Sequence, residues 1–280
     1  MLAIHEKKTN SVDLYQPFRQ YIAQLYSERE AVDNEEDLEC IQQMRREIEK
    51  VADSLESRRD LLQRYFKSLC VIEPRFPISD EKDQISTISF TWFDAFKTNK
   101  KSSQQSIHFE KACVMFNLGA IYSQLGLNSD RTNPNGIKQS CSFFQASAGA
   151  FAFLKSMKAS SSSSTTMDIS GECANMLERL MLAQAQECFY EKVVLDRKPP
   201  SLCGKIARQV SLYYEEAHAS LTLPPLNQYI DRGWVSHIML KASQFHAEAC
   251  YRAAIDLHEK ENIGEEIARL KAAASSLANA

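Results

Sequence analysis

The stretch FEKACVMFNLGAIYSQLG, residues Phe109 to Gly126, decides the fold of this chain. Its apolar residues recur with helical spacing, and small residues stand where a second backbone would have to come close. These apolar and small positions are Ala112, Met115, Phe116, Gly119, Ala120 and Tyr122. The pattern predicts one buried helix against which other helices pack.

A second segment, Gly136 to Lys155, supplies a partner for this helix. It places small and aromatic residues alternately on one face, at Ser140, Phe144, Ser147, Ala148 and Phe151. In the first segment, a large residue, Leu-Gly and Tyr are spaced as in the first helix of a tetratricopeptide-type hairpin, at Met115, Leu118, Gly119 and Tyr122. The two segments together predict a helical hairpin.

The composition is that of a globular protein with long helices. The chain has 280 residues, of which 44% are hydrophobic and 25% charged, with only eight glycines and eight prolines. This length allows one large domain or two small ones. The net charge of −3 argues against binding to nucleic acid through the overall charge, because that surface is normally basic.

The eight cysteines are scattered, and none forms a C-x-x-C pair. Most fall at apolar helix positions, so we expect reduced core thiols rather than disulfides or metal ligands. The N-terminal apolar run is too short for a signal peptide, and no stretch approaches the ~18 apolar residues of a membrane-spanning helix. These features predict a cytosolic protein with at most peripheral membrane contact.

One strand is predicted at Ile85 to Trp92, where ISTISFTW alternates between its two faces. We expect it to pair with a short N-terminal strand, Met1 to His5, in a small sheet. The serine-rich stretch Ala159 to Thr166 is interpreted as a surface loop rather than a domain boundary, because the segments on both sides have the same helical character.

The helix after Pro200 has an apolar seam that is expected to face its neighbours. The seam consists of Cys203, Ala207, Val210, Tyr214, Ala217 and Leu221. Leu202, Ile206 and Tyr213 lie beside it and add apolar surface. Either the helix is buried on two sides, or it borders an exposed groove that receives an amphipathic helix from a partner. Phe189 and Lys192, on one face of the preceding helix, would then flank that groove.

Motifs for catalysis or cofactor binding are missing from the sequence. There is no phosphate-binding loop, no H-E-x-x-H and no G-x-S-x-G. His246 and Cys250 are four residues apart on one predicted helix and would make half a metal site, but two ligands are not a site. We therefore predict no catalytic residues, no metal and no cofactor.

Four blocks of sequence resemble the BRO-one domain of ALIX-type endosomal proteins. They are FEKACVMFNLGAIYSQLG, FFQASAGAFAFLK (Phe143 to Lys155), LMLAQAQECFYEK (Leu180 to Lys192) and GEEIARLKAAA (Gly264 to Ala274). Three further segments are especially similar to the plant, vacuolar-sorting branch of the family. These are MLAIHEKKTNSVDLY, GKIARQVSLYYEEA and GWVSHIMLKASQFHAEACYR.

The resemblance implies a mainly α fold: an elongated, boomerang-shaped helical domain with tetratricopeptide-like hairpins and a small N-terminal β-sheet. It implies a non-catalytic adaptor that binds the C-terminal amphipathic helix of an ESCRT-III subunit of the Snf-seven class, also called charged multivesicular body protein four. Such a protein is cytoplasmic and is recruited to late endosomes, where cargo is sorted into multivesicular bodies bound for the vacuole or lysosome. Other implied partners are ubiquitin-pathway proteins such as a deubiquitinase, and the endosomal membrane.

Carried over by position, the family's contact patch falls on Phe189, Leu202 and Ile206, with Lys192 beside it. Ile137 and Lys138 match further contact positions. Because the periodicity had already indicated the first four, the resemblance favours the groove over the buried helix.

The sequence departs from the family pattern in two ways. An acidic contact residue of some relatives falls at Pro134 here. The family domain also continues past Ala280, so we expect residues 1–280 to be a single BRO-one-like domain without its C-terminal end. The chain would then be a fragment, a short isoform or an incomplete gene model.

Two other functions remain open from the sequence. The chain could be a general α-solenoid scaffold for a different peptide. It could also be a peripheral membrane-surface module that uses Arg197, Lys198, Lys205 and Arg208. An enzyme is the third and least supported class.

Overall fold

The computed structural model describes residues 1–78, 87–157 and 165–278. The helices are α1 (Tyr15–Leu25), α2 (Glu28–Asp33), α3 (Glu35–Glu49), α4 (Leu55–Ile72), α5 (Ile107–Asn128), α6 (Pro134–Ser156), α7 (Gly171–Leu195), α8 (Pro200–Thr222), α9 (Leu226–Tyr229), α10 (Arg232–Glu259) and α11 (Ile263–Ala278). The strands are β1 (Phe90–Phe93) and β2 (Lys101–Gln104). The predicted fold class, mainly helical with one small sheet, is confirmed.

Helices α4, α8 and α10 begin at residues suited to a helix N-terminus. The side chain of Ser54 accepts a hydrogen bond from the Ser57 amide at the start of α4, and Asp231 does the same for Gly233 at the start of α10. These side chains satisfy amide groups that have no partner within the helix. In α8, Pro200 occupies the first turn, where a missing amide proton costs nothing.

Helices α5 and α6 form the predicted hairpin, and small residues allow the close approach. A Cβ added at Gly119 would lie 2.7 Å from Cζ of Phe151, and one at Gly126 would lie 3.0 Å from the ring of Phe144. Phe116 packs edge-on against Phe151, with ring centroids 5.7 Å apart. Each glycine thus faces an aromatic ring of the other helix.

The sheet differs from the expected pairing. Strand β1 pairs antiparallel with β2, with Phe90 opposite Gln104 and Phe93 opposite Lys101. The predicted strand at Met1–His5 is wrong; the N-terminal segment contacts β1 later, through Thr9 opposite Trp92. Two backbone hydrogen bonds hold it there, Asn10 N to Thr91 O (3.1 Å) and Phe93 N to Lys8 O (2.9 Å). The first residues of the predicted strand, Ile85 and Ser86, lie outside the described residues.

The chain divides into two compact units. The first unit comprises Met1–Ala3, Tyr122–Gly149 and Asn175–Ala280, and the second comprises Ile4–Ile121 and Ala150–Ala174. That residues 1–280 make up one family domain stays a prediction. The predicted serine-rich loop falls largely on 158–164, outside the described residues.

The second unit has a charged network in its interior. Nε of Arg45 lies 2.9 Å from Oε1 of Glu110, and neither side chain is exposed. Tyr65 donates a hydrogen bond to the same carboxylate (3.0 Å), and so does the indole of Trp92. Because a buried charge is costly unless it is paired, this network ties α3, α4, β1 and α5 to one arrangement.

In the first unit, polar contacts join each helix to its neighbours. The thiol of Cys188 on α7 lies 3.4 Å from Oγ of Ser140 on α6. Lys241 on α10 pairs with Glu187 on α7 at 2.7 Å, and the hydroxyl of Ser211 on α8 donates to the carbonyl of Ala242 on α10 (3.0 Å). Helix α7 therefore packs between α6 on one side and α8 and α10 on the other.

Candidate partner-binding site

A short turn (196–199) joins α7 to α8. The amide of Arg197 donates to the carbonyl of Val194 (3.0 Å), and that of Lys198 donates to the carbonyl of Val193 (3.1 Å). Arg197 has a φ of 52°, the left-handed conformation that usually ends such a helix. Pro200 then starts α8 at once. The turn thus brings the last residues of α7 next to the first residues of α8.

Two side-chain contacts show how α7 and α8 are aligned. The hydroxyl of Tyr214 donates to Glu187 (2.6 Å), and Arg179 forms an ion pair with Glu216. The residue nearer the start of α7, Arg179, meets the residue nearer the end of α8, Glu216, so the two helices are antiparallel. Counting along the antiparallel helices from these contacts places Phe189 level with residues 206–212 of α8.

The predicted seam of α8 is buried. Its members are all 2% exposed or less: Cys203, Ala207, Val210, Tyr214, Ala217 and Leu221. Beside the seam, Leu202 is 42% exposed and Phe189 is 47% exposed, whereas Ile206 is only 9% exposed. Helices α7 and α8 therefore each present a large apolar side chain to solvent, and Ile206, one turn after Leu202, is nearly buried. We call Phe189, Leu202 and Ile206 the α7–α8 surface.

Lys192, the cation expected beside the α7–α8 surface, is already paired. Its Nζ lies 2.7 Å from Oδ2 of Asp196, one turn further along α7. The hydrogen bond from Lys192 lowers the pKa of the Asp196 carboxyl. A partner carboxylate would therefore have to share Lys192 with Asp196. The sequence analysis did not name Asp196, although its spacing of four residues from Lys192 is a signal for such a pair.

Ile137 and Lys138 lie at the start of α6 and differ in exposure. Ile137 is 3% exposed, so it packs in the core of the first unit, whereas Lys138 is exposed. The contact of Ser140 with Cys188 places both residues level with the part of α7 that carries Phe189. Of the two, Lys138 is the one whose side chain reaches solvent.

The comparisons with known proteins identify the family. A family model described as the BRO1-like domain matches residues 1–280. The chain belongs to the BRO1-like domain family. This confirms the resemblance that the quoted sequence blocks indicated.

Curated relatives share sequence along the whole chain of this BRO1-like domain protein. The vacuolar-sorting protein BRO1 of Arabidopsis thaliana is 55% identical over 284 residues, which cover 100% of this chain and 34% of the relative. The ALG-2 interacting protein X of Dictyostelium discoideum is 34% identical over 278 residues, covering 99% of this chain and 34% of the relative. The chain thus spans about a third of the length of these relatives.

A solved structure described as an ALIX BRO1 CHMP4C complex has the same fold. Its TM-score is 0.90 and its sequence identity 30%, over 99% of this chain and 78% of that chain. A second structure, described as the structure basis for endosomal targeting by the Bro1 domain, is similar with a TM-score of 0.86, but at 20% identity it shows the fold alone.

The titratable groups behind the α7–α8 surface of this BRO1-like domain serve packing. Burial, together with the neighbouring Glu187, raises the pKa of Tyr214 well above its usual range. Burial also raises the pKa of the Cys188 thiol to about 12. A phenol and a thiol with such pKa values stay protonated at neutral pH, so neither is an activated nucleophile.

In the described residues, no further ligands join His246 and Cys250 to make a metal site. His246 lies with Nδ1 3.3 Å from Oγ of Ser276, and Cys250 is buried against α11. No group of three or more His, Cys, Asp or Glu side chains that could hold a metal ion occurs in the part of the chain that the structure describes. Nor does any described helix combine the length and apolarity needed to cross a membrane.

One of the four basic residues that a membrane-surface module would use is already paired with a carboxylate. Arg208 pairs with Glu215 at 2.6 Å, and this pair, with a hydrogen bond from Ser211, lowers the pKa of Glu215 although burial opposes the shift. Arg197, Lys198 and Lys205 are exposed around the turn. The positive charge near this turn is thus smaller than the sequence suggests.

Proposed function

We propose that this chain is a non-catalytic adaptor module of endosomal sorting. It binds the C-terminal amphipathic helix of an ESCRT-III subunit of the charged multivesicular body protein four class. The observation that carries the proposal is the exposure of Phe189 and Leu202 on adjacent helices whose other apolar residues are largely buried. An amphipathic helix would cover both side chains with its apolar face.

The similarity to relatives supports the same partner. The chain matches the ALIX BRO1 domain over 99% of its length, in a structure described as a complex with CHMP4C. Its 55% identical relative is described as a vacuolar-sorting protein. We infer that cargo sorting into multivesicular bodies is the process that the binding serves.

The expected affinity of one site is modest. Burying a large apolar side chain yields about 1.5–3 kcal/mol, and Phe189 and Leu202 are already about half buried, so each gains roughly half of this. The two side chains together then yield about 1.5–3 kcal/mol, well short of the about −8 kcal/mol of a 1 μM dissociation constant, so other contacts must contribute and micromolar binding is the upper end. A polymer of ESCRT-III subunits offers several such helices at once, so the combined binding would be much tighter than the binding of one helix.

Titrating a labelled peptide of the partner's C-terminal helix tests the proposal. We expect Phe189→Asp and Leu202→Asp each to weaken binding by at least about tenfold, because the new carboxylate would lose its water without gaining a partner. Both positions are exposed, so the thermal stability should stay close to that of the wild type.

Leu195→Asp is the matched control. Leu195 is also exposed on α7 but lies about 120° around the helix from Phe189, since six residues advance a helix by about 600°. It should bind like the wild type. Equal binding by Phe189→Asp, Leu202→Asp and Leu195→Asp would show that the helix docks elsewhere.

The same titration at several salt concentrations separates this proposal from the membrane alternative. Apolar binding changes little with salt, whereas attachment to anionic vesicles through Arg197, Lys198 and Lys205 would weaken steeply. Vesicle binding that is unaffected by Leu202→Asp would favour the membrane module.

The setting of this adaptor follows from the same proposal. The protein would be cytoplasmic and would reach late endosomes by binding ESCRT-III. Contacts with the endosomal membrane and with a deubiquitinase of the ubiquitin pathway are further proposals, and both would act on a protein already recruited in this way.

A further inference from the structure

The second unit contains an open groove that the proposed function does not use. It has a volume of about 680 Å³ and is bordered by α1, α2, α3 and α4, with Tyr26 and Phe76 at its rim. We call it the α3–α4 groove. Its volume lies within the range of sites that bind ligands or peptide side chains, about 300–1,000 Å³.

Two antiparallel helices form the long sides of the α3–α4 groove. At one end they are tied together by Arg58 at the start of α4, which donates to the carbonyls of Ile48 (2.9 Å) and Glu47 (3.3 Å) at the end of α3. The groove lies at the other end and extends along α3 from Asp37 to Met44. Seven residues of helix correspond to about 10 Å, which is the length of about two helical turns of a partner.

The floor of the groove is apolar and firmly packed. It contains Ile22, Leu38, Met44 and Ile72, which are all buried. The ring of Phe76 is held against Phe18, with centroids 4.3 Å apart. On the α4 side, Val71 is 55% exposed and points its apolar surface into the groove. A partner could therefore bury apolar side chains here without moving the core.

The two sides of the groove carry opposite charges. Glu30 on α2 and Asp37 on α3 line one side, and Lys67 on α4 and Arg75 after it line the other. Lys67 and Val71 are one helical turn apart, with Arg75 following in the turn after α4, where its guanidinium donates to the carbonyl of Val71 (2.7 Å). Within the described ranges, none of these four charged side chains forms an ion pair.

We propose that the α3–α4 groove binds an amphipathic helix of a partner protein, with basic residues along one flank and acidic residues along the other. Its apolar face would cover Val71 and the floor of the groove. Its basic flank would meet Glu30 and Asp37, and its acidic flank would meet Lys67 and Arg75. A groove between antiparallel helices with unpaired charges of opposite sign on its sides has the shape and the electrostatics for such a helix.

Designed peptides test this site directly. The probe is a helical peptide of about four turns with leucines on one face, lysines on one flank and glutamates on the other. Two control peptides keep the leucine face and carry only lysines or only glutamates on both flanks. We expect the mixed peptide to bind the whole chain at least about fivefold more tightly than either control, because each control repels one side of the groove.

Variants of the chain assign the binding to the groove. Val71→Asp should weaken binding of the mixed peptide by about tenfold or more, whereas Val51→Asp, at an almost fully exposed valine outside the groove, should not. The double variant Lys67→Glu with Arg75→Glu makes both sides acidic, so its preference should switch to the all-lysine peptide.

Three results would overturn the proposal. The first is equal binding of all three peptides, and the second is unchanged binding by Val71→Asp. The third is a dimer of the chain, seen by sedimentation, that Val71→Asp converts to a monomer; this result would assign the groove to a second copy of the chain.

Discussion

Leu202 and Ile206 lie one turn apart on α8 but have different surroundings. Leu202 leaves much of its side chain in solvent, whereas Ile206 turns most of its surface towards the helix pair. A partner would therefore gain apolar contact mainly from Leu202 and Phe189. Ile206 has little surface left for a partner to cover.

This difference gives a prediction for Ile206→Asp. A carboxylate at this position would be placed largely inside the pair of helices without a partner, so the variant should be destabilised by about 3 kcal/mol or more. The measurement is urea unfolding followed by circular dichroism. Leu202→Asp is the control and should unfold at nearly the wild-type urea concentration. An Ile206→Asp variant that is as stable as the wild type would show that Ile206 belongs to the exposed surface.

His237 on α10 should make the stability of the first unit depend on pH. Burial lowers the pKa of His237 below its usual value of 6.5, and the charges of the chain's N-terminal amine and of Lys241 lower it further, while Glu187 opposes them. Its Nε2 is buried without a hydrogen-bond partner in the described part of the chain.

The direction follows from proton binding. In the unfolded chain, His237 takes up a proton as the pH falls below about 6.5. In the folded chain, the lowered pKa keeps His237 neutral to a lower pH. The unfolded chain therefore binds more protons in this region, and the folded chain loses stability as the pH falls. We expect the melting temperature of wild type to fall more than that of His237→Gln between about pH 7.5 and pH 5.5. Parallel curves for the two proteins would mean that His237 is not involved.

For single residues, the sequence could predict which side chains belong to the α7–α8 surface but not how exposed each of them is. Periodicity places Leu202 and Ile206 beside the seam, because both follow from the helical repeat. It does not say which neighbouring helix covers them, since that depends on how α7 and α8 are aligned. The alignment is determined by distant contacts such as Tyr214 with Glu187.

Among the elements, the α5–α6 hairpin depends on a glycine for its close packing. At Gly119, the ring of Phe151 occupies the space of a Cβ, whereas a Cβ at Gly149 on the outer side of α6 would meet nothing within 4 Å. The two glycines therefore have opposite roles in stability.

We predict that Gly119→Ala destabilises the chain by about 1–3 kcal/mol, because the ring of Phe151 would have to move in a packed core. Gly149→Ala should instead stabilise it by about 0.5–1 kcal/mol, because alanine is the better helix former. Denaturant unfolding of both variants measures the two effects. If Gly119→Ala were also stabilising, the approach of the two helices would be looser than described.

The sheet shows why some elements could be predicted and others could not. The segment ending in Phe90–Trp92 has the alternation and aromatic residues of a strand. Its partner, Lys101–Gln104, reads KSSQ and has neither. This segment becomes a strand because it meets β1 across a turn, and pairing of this kind depends on tertiary contacts rather than on local composition.

For the whole molecule, the cysteines provide a test of the packing. All eight are free thiols. Cys40 and Cys70 are exposed, Cys141 is partly buried and the other five are buried. Burial raises the pKa of Cys113 and of Cys173 well above the usual range, which removes the reactive thiolate.

We predict two rapidly reacting thiols in the folded chain, Cys40 and Cys70. A thiol reagent at neutral pH, followed by mass spectrometry of the peptides, identifies them, and all eight should react after denaturation. Cys141 should react slowly, since burial raises its pKa too. Rapid labelling of Cys113 or Cys173 in the folded chain would contradict the buried core.

The sequence predicted the fold class and the family, because both rest on long helical patterns and on ordered blocks such as FEKACVMFNLGAIYSQLG. It did not predict the α3–α4 groove. Residues of α1, α2, α3 and α4 line this groove together, so it depends on how these helices pack and not on the pattern of any one segment.

Cys40 lies on the wall of the α3–α4 groove. After Cys70→Ser, it would be the one fast thiol of the folded chain. An environment-sensitive dye attached there would brighten or shift in colour when a helix settles beside it. The chain therefore carries its own attachment point for an optical sensor, with which peptide libraries could be screened before any natural partner is known.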